Sequence, residues 1–216
     1  MSKKTMRRTA LTWALAAATT ASLALLSAPE AHATTLYVRT NTALRTSATA
    51  TAAAVQTVTP GARLRSTGVT RSGYTKVRWH GTTVWVRSKF AKAGFGSRSL
   101  NRLQSHGKVA VLKVRHAFPR IKRIGGWRSW SNYSSDHRSG RAVDFMVPSW
   151  SRAKGKKLGN AVARYMIKNR KKLHVHYVIW RQRIWTTADR KWRHMPNRGS
   201  ANANHMNHVH VSFSNG

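Results

Sequence analysis

Beyond residue 33 the chain first runs in short stretches where apolar and polar residues trade places. Leu36-Tyr37-Val38, Val55-Gln56-Thr57-Val58, Ala62-Arg63-Leu64, Lys76-Val77-Arg78-Trp79 and Thr83-Val84-Trp85-Val86 have the length and pattern of strands with one buried face. Pro60-Gly61, Ser72-Gly73 and His80-Gly81 punctuate them as turns. Strands at this spacing predict a small all-β barrel over 34–93. Gly and Ser residues then mark a linker at 94–98. From 99 to 216 the pattern changes. Lys108–Phe118, stopped by Pro119, reads as a helix. Ser151–Lys172 reads as a longer one, with Ser151 as its cap and Leu158, Ala161, Val162, Tyr165 and Met166 on one face. Ala142–Val147, Val175–Trp180 and His208–Phe213 read as buried strands. Helices interspersed with strands predict an α+β domain.

The N-terminus changes the picture of where this chain works. Lys3, Lys4, Arg7 and Arg8 precede a stretch rich in Ala and Leu, and Ala31-His32-Ala33 has the small-x-small form of a cleavage site. Residues 1–33 therefore read as a signal peptide, and the protein is expected to be secreted, extracellular or associated with a cell wall. No later stretch is apolar enough to predict a membrane span. There are no cysteines, so disulfides cannot staple the fold, and a metal would have to be held by His and Asp.

Charge changes it further. The chain carries 40 Lys and Arg against 4 Asp and Glu, a formal net charge of +36. A field of that size attracts polyanions. For an exported monomer the expected partners are peptidoglycan and anionic wall polymers, with no specific nucleic acid. The basic residues are spread along the chain, which equally suits a solvated cationic surface.

Few carboxylates remain to do chemistry. Glu30 falls in the signal peptide, which leaves Asp136, Asp144 and Asp189. His137 and Asp144 bracket Gly140, whose flexibility lets a loop histidine fold back toward an aspartate on the next strand. Far downstream come His205, His208 and His210. His208 and His210 are two apart on an expected strand, so both rings share one face. His205 can reach that face from the preceding loop. These are the parts of a zinc site that needs three protein ligands and one open position. A glycosidase would need two carboxylates of different acidity across one bond. Asp136 and Asp144 are the only close pair, and the histidine motif accounts for them better.

The pattern Ser135-x-His137-x-x-Gly140-x-Ala142-x-Asp144 followed by His208-x-His210 resembles the signature of the LAS-type zinc peptidases. These include lysostaphin-like enzymes, D-Ala-D-Ala carboxypeptidases and the penicillin-insensitive murein endopeptidase, and they share a fold with sonic hedgehog. Gly125-Gly126-Trp127-Arg128, Tyr177–Trp185 and His208–Phe213 look like secreted actinobacterial proteins with a carboxypeptidase-like C-terminal domain. The resemblance implies that His137, Asp144 and His210 hold Zn2+, that His205 takes the place of the base (Glu in the carboxypeptidases), that His208 lies beside the metal, and that Arg128 steadies substrate or a developing oxyanion. Asn207 stands where relatives often have Asp, which would remove one possible partner for a histidine. Leu44-Arg45-Thr46-Ser47 with Gly73–Val77 and Gly81–Val86 resembles a bacterial SH3-like domain, which implies a wall-binding module at 34–93. Together the two resemblances imply an SH3-like barrel followed by an α+β LAS or hedgehog-type domain, acting as a peptidoglycan peptidase. The alternative is a non-catalytic wall-binding protein with the same fold.

The remaining candidates read as structural. His174 and His176 lack a partner at a suitable offset, and His194 reads as a surface residue. Asp136 is expected to orient the His137 loop, and Asp189 to sit in a turn. Trp127, Trp130 and Trp150 lie near the motif in sequence and could line a groove.

Overall fold

The computed structural model describes residues 33–130 and 135–215. The expected signal peptide lies outside the described residues, apart from Ala33. Seven strands, β1 (Thr35–Val38), β2 (Thr42–Arg45), β3 (Ala54–Val58), β4 (Arg63–Arg71), β5 (Tyr74–Trp79), β6 (Thr82–Arg87) and β7 (Ala91–Lys92), form the first sheet. Ser72-Gly73 and His80-Gly81 join β4, β5 and β6, and all four residues have positive φ. That is the backbone of the two-residue turns whose twist suits a hairpin. Val38, Leu44, Val58, Leu64, Val77, Val84 and Val86 are buried together on one side of this sheet.

The chain continues through α1 (Arg98–Asn101), α2 (Ser105–Ala117), β8 (Ile124–Gly125), β9 (Ala142–Met146), α3 (Ala153–Lys168), α4 (Arg170–Leu173), β10 (Val175–Ile179), β11 (Arg183–Thr186), β12 (Trp192–His194) and β13 (His208–Phe213). Its strands make a second antiparallel sheet in the order β12-β11-β10-β13-β9-β8. Val143, Phe145, Val178, Val209, Val211 and Phe213 alternate onto the face that packs with Val111 and Val114 of α2 and Val162 and Met166 of α3. Gly159 lets α3 settle there: a Cβ at that position would lie 2.1 Å from the Trp180 indole, whose Nε1 donates to Asn160 Oδ1 at 2.8 Å. Phe95, in the expected linker, is buried edge-on against Tyr37, with ring centroids 5.3 Å apart.

Three sequence expectations need correction. The expected architecture, an SH3-like barrel followed by an α+β LAS or hedgehog-type domain, is not formed. The first sheet runs in the open order β3-β2-β6-β5-β4-β1-β7. Its end strands do not pair, so no barrel closes. Taken over both sheets the protein is mostly antiparallel β, and the second sheet is wider than the expected strands allow, because the stretch after Trp180 adds the hairpin β11–β12, which carries no strong alternation in sequence. The long helix expected over Ser151–Lys172 breaks at Asn169 into α3 and α4, where Asn169 Nδ2 donates to the Tyr165 carbonyl at 2.8 Å. Its N-cap is Arg152 without a side-chain cap bond, not Ser151.

Candidate metal centre

The second sheet turns its other face toward a cleft of about 800 Å³. Strand pairing places the site residues there. Asp144 on β9 and His210 on β13 are register partners, as are His208 and Met146. Since side chains alternate across a strand, His208, His210 and Ser212 share the side of the sheet opposite the core, the two histidines lining the cleft, while Val209, Val211 and Phe213 enter the core. His137 arrives from the 135–140 loop. Gly140 closes that loop at φ +73°, and a Cβ there would lie 2.5 Å from the Arg102 carbonyl.

His137 Nε2, Asp144 Oδ1 and His210 Nδ1 converge. The separations are 3.1 Å from His137 to Asp144, 2.8 Å from His210 to Asp144 and 3.3 Å between the two imidazoles. His137 Nδ1 donates to the Gly126 carbonyl at 2.7 Å, so in the neutral ring Nε2 carries a lone pair. In the absence of an ion these contacts are hydrogen bonds to Asp144, and the three residues have the side chains and spacing of a metal-binding triad. Asp144 favours the charged form that such a role needs. Burial opposes its ionisation, but the contacts from His137 and His210 outweigh that and hold the carboxyl well below the usual range. The Gly126 carbonyl orients His137 in the manner expected of a ligand's outer partner.

The other expected site residues surround the triad. Arg128 Nη1 donates to Asp144 Oδ2 at 3.1 Å, and the Arg128 side chain is half exposed at the cleft. His208 Nε2 lies 3.6 Å from Asp144 Oδ1. Its Nδ1 meets Asn207 Oδ1 at 2.6 Å, so Asn207 supplies the histidine partner that its sequence position had seemed to remove. His205 sits with its ring centroid 4.8 Å from that of His208 and 5.4 Å from that of His210. Its backbone is left-handed at φ +51°, and its Nδ1 is buried with no partner among the described residues. Burial, reinforced by the neighbouring histidines, pushes His205 down to about 3. Burial likewise carries His208 down to about 4, against the pull of Asp144. Both rings are therefore neutral at pH 7.

Asp136 orients the loop. Its carboxylate accepts from Arg141 Nη2 at 2.6 Å, from the Tyr177 hydroxyl at 3.1 Å and from the Ser212 hydroxyl. Tyr177 stacks on His210, with centroids 5.6 Å apart. Burial and the Asp136 charge raise the Tyr177 phenol to about 12, so it remains a donor. Tyr177 and Ser212 were not singled out in the sequence; their only signal is facing register on β10 and β13. Trp130 lines the cleft and is 71% exposed. Trp127 instead donates to the Arg138 carbonyl beneath Arg98 and Arg102, and Trp150 packs against the hydrophobic core; neither lines the cleft. His174 stacks on His106 at 4.0 Å, His176 and His194 are exposed, and Asp189 closes the β11–β12 turn onto Thr186 and Arg193. None of these four joins the metal triad.

Comparison with known proteins adds a family. No solved structure matches the chain. An uncharacterized secreted protein of Arthroderma benhamiae is 34% identical over 91 residues, a region taking in 33% of this chain and 37% of that protein. The chain thus spans well under two thirds of that relative. A family model described as VldE, C-terminal domain, matches residues 99–206, half of the chain. That stretch contains Arg128, His137, Asp144 and His205 and stops short of His208 and His210. By that match the chain belongs to the VldE C-terminal domain family.

Proposed function

We propose that this protein is a secreted zinc-dependent peptidase that hydrolyses an amide bond in peptidoglycan peptides. The observation that carries the reading is the convergence of His137 Nε2, Asp144 Oδ1 and His210 Nδ1 at the floor of an open cleft. The proposal keeps the likeness of motif to the LAS peptidases and gives up their fold. Secretion is supported by the relative described as secreted, by the signal-like N-terminus, and by the lack of any described helix long and apolar enough to cross a membrane.

His137, Asp144 and His210 would hold the ion. Two imidazoles and a carboxylate suit zinc, which when bound supplies Lewis acidity and acidifies a water. His205 and His208, whose rings border the triad, would be placed to take the proton of an attacking water and return it to the leaving amine. The Arg128 guanidinium, pinned by Asp144, presents its exposed edge where a carbonyl oxygen gains charge. A second reading, a wall-binding protein without turnover, is favoured by one observation: among the described residues Asp144 is the only carboxylate lining the cleft, and His205 stands where the carboxypeptidases have Glu.

The test is release of peptide fragments from purified sacculi by zinc-loaded protein, with chelated protein as the control. Metal-dependent release is expected. A zinc-loaded protein that binds sacculi of several cross-bridge types but cuts none would replace the peptidase by the second reading.

A further inference from the structure

We propose that the outward face of the first sheet binds a linear phosphodiester polyanion. The inference does not depend on the metal centre, because it rests on β2, β4, β5 and β6 alone.

Register defines the face. Val77, Val84 and Val86 turn inward and are buried. Their neighbours along β5 and β6 turn outward. Arg65 on β4 is directly opposite Arg78 on β5, which is opposite Thr83 on β6. One step along, Lys76 is opposite Trp85, which is in turn opposite Arg45 on β2. Next to these, Arg87 on β6 is opposite Tyr74, with its guanidinium 5.2 Å from the ring centroid. Lys76 Nζ hangs 5.9 Å from the centre of the Trp85 ring. The result is a grid of five cations on four adjacent strands, spaced by about 5 Å between strands and about 7 Å along them.

Such a grid is unfavourable in isolation. Like charges directly opposed on a sheet destabilise it, and Arg65 faces Arg78 without relief. No Asp or Glu occurs anywhere in 34–92. The three aspartates farther on are already engaged, Asp136 by Arg141, Asp144 by Arg128 and Asp189 by Arg193. No carboxylate among the described residues is left to neutralise this face, so its counter-charge has to come from another molecule.

The arrangement also says what kind of molecule. The cations lie in parallel rows and do not converge on one point, which suits a chain of repeating charges better than a single anion. Two aromatic rings lie among the cations, and Tyr74 is buried, which leaves Trp85 as the one with surface to offer a ligand. Single-stranded nucleic acid is held by successive aromatic rings that stack its bases, and this face has no such series. A polymer with a bare phosphodiester backbone is the better fit.

The experiment measures binding of the full chain to poly(glycerol phosphate) over a range of salt. The pairs Arg65→Gln/Arg78→Gln and Arg45→Gln/Lys76→Gln are compared with Lys171→Gln/Lys172→Gln, which removes the same charge from exposed positions on α4. Each pair on the sheet is expected to lower affinity by about tenfold and to flatten the salt dependence by about one unit of slope, while the α4 pair does little. Arg65→Gln/Arg78→Gln should melt no lower than the parent, since it relieves a repulsion, so that weak binding cannot be blamed on unfolding. Equal losses from the α4 pair would overturn the site in favour of diffuse net charge. Tenfold tighter binding to single-stranded DNA of matched charge would overturn the choice of polymer.

Discussion

Asp144 and His210 face each other as register partners on β9 and β13, with Oδ1 of one 2.8 Å from Nδ1 of the other. Backbone ladder bonds therefore hold two of the three side chains of the candidate metal triad together, and only His137 depends on a loop. Asp144→Asn keeps the shape of that pair and removes its charge. The expected outcome is loss of bound zinc, from about one ion per chain to a trace, by elemental analysis after zinc addition and desalting. Full retention of zinc in this variant would show that the ion is held elsewhere.

His205 is the position at which the proposed catalysis can be tested apart from metal binding. It lies against the His208 and His210 rings but outside the triad. Its left-handed backbone makes Asn, which tolerates that conformation, a better replacement than Ala. His205→Asn should keep zinc and fold while losing about 100- to 10,000-fold in turnover on sacculi, the usual worth of a positioned acid or base. Unchanged turnover would remove His205 from the mechanism and leave His208 as the base.

Asp136 ties the His137 loop to the strands that flank His210, through Arg141, Tyr177 and Ser212. Asp136→Asn replaces a charged acceptor by a neutral one with half its accepting capacity. A loss of about 1–3 kcal/mol of stability is expected in chemical denaturation. Zinc affinity should also fall by about 10- to 100-fold, because the loop carrying His137 is no longer held to β13. A variant that loses stability but binds zinc as tightly as the parent would confine Asp136 to a structural role.

The buried histidines give the metal-free protein a pH dependence of definite sign. Folding lowers His205 to about 3 and His208 to about 4, chiefly by burial. In the unfolded chain both titrate near 6.5. As pH falls below about 6.5 the unfolded state takes up protons that the folded state refuses, so stability is full above that pH and drains away as it drops. Asp136 and Asp144, whose folded values are depressed, add a further loss only below about pH 4. Tm of the metal-free protein should decline from pH 7 to pH 5, and His205→Asn should shallow the decline. A flat profile in the parent over that range would contradict the burial of these rings.

The sequence by itself determined the candidate residues of the centre and the elements that carry them. Spacing brought His137 back toward Asp144, because Gly140 marks the return of a loop, and period two put His208 and His210 on one face; it was the likeness of motif to the LAS peptidases that picked out His210 as the third candidate ligand. β13 spans His208–Phe213, as the alternation indicates, and α2 ends at Ala117 ahead of Pro119. Local pattern could go no further, since it says which face of a strand is buried but not which strand lies beside it. Tertiary structure decided that the first sheet stays open, with β3 and β7 as separate edges, and that β10 brings Tyr177 beside Ser212. It placed Trp127 under two arginines and Trp130 on the cleft, though both are equally near the motif in sequence. It also set Arg65 against Arg78, a pairing between strands joined through a bulge, where register depends on hydrogen bonds that residue type does not encode.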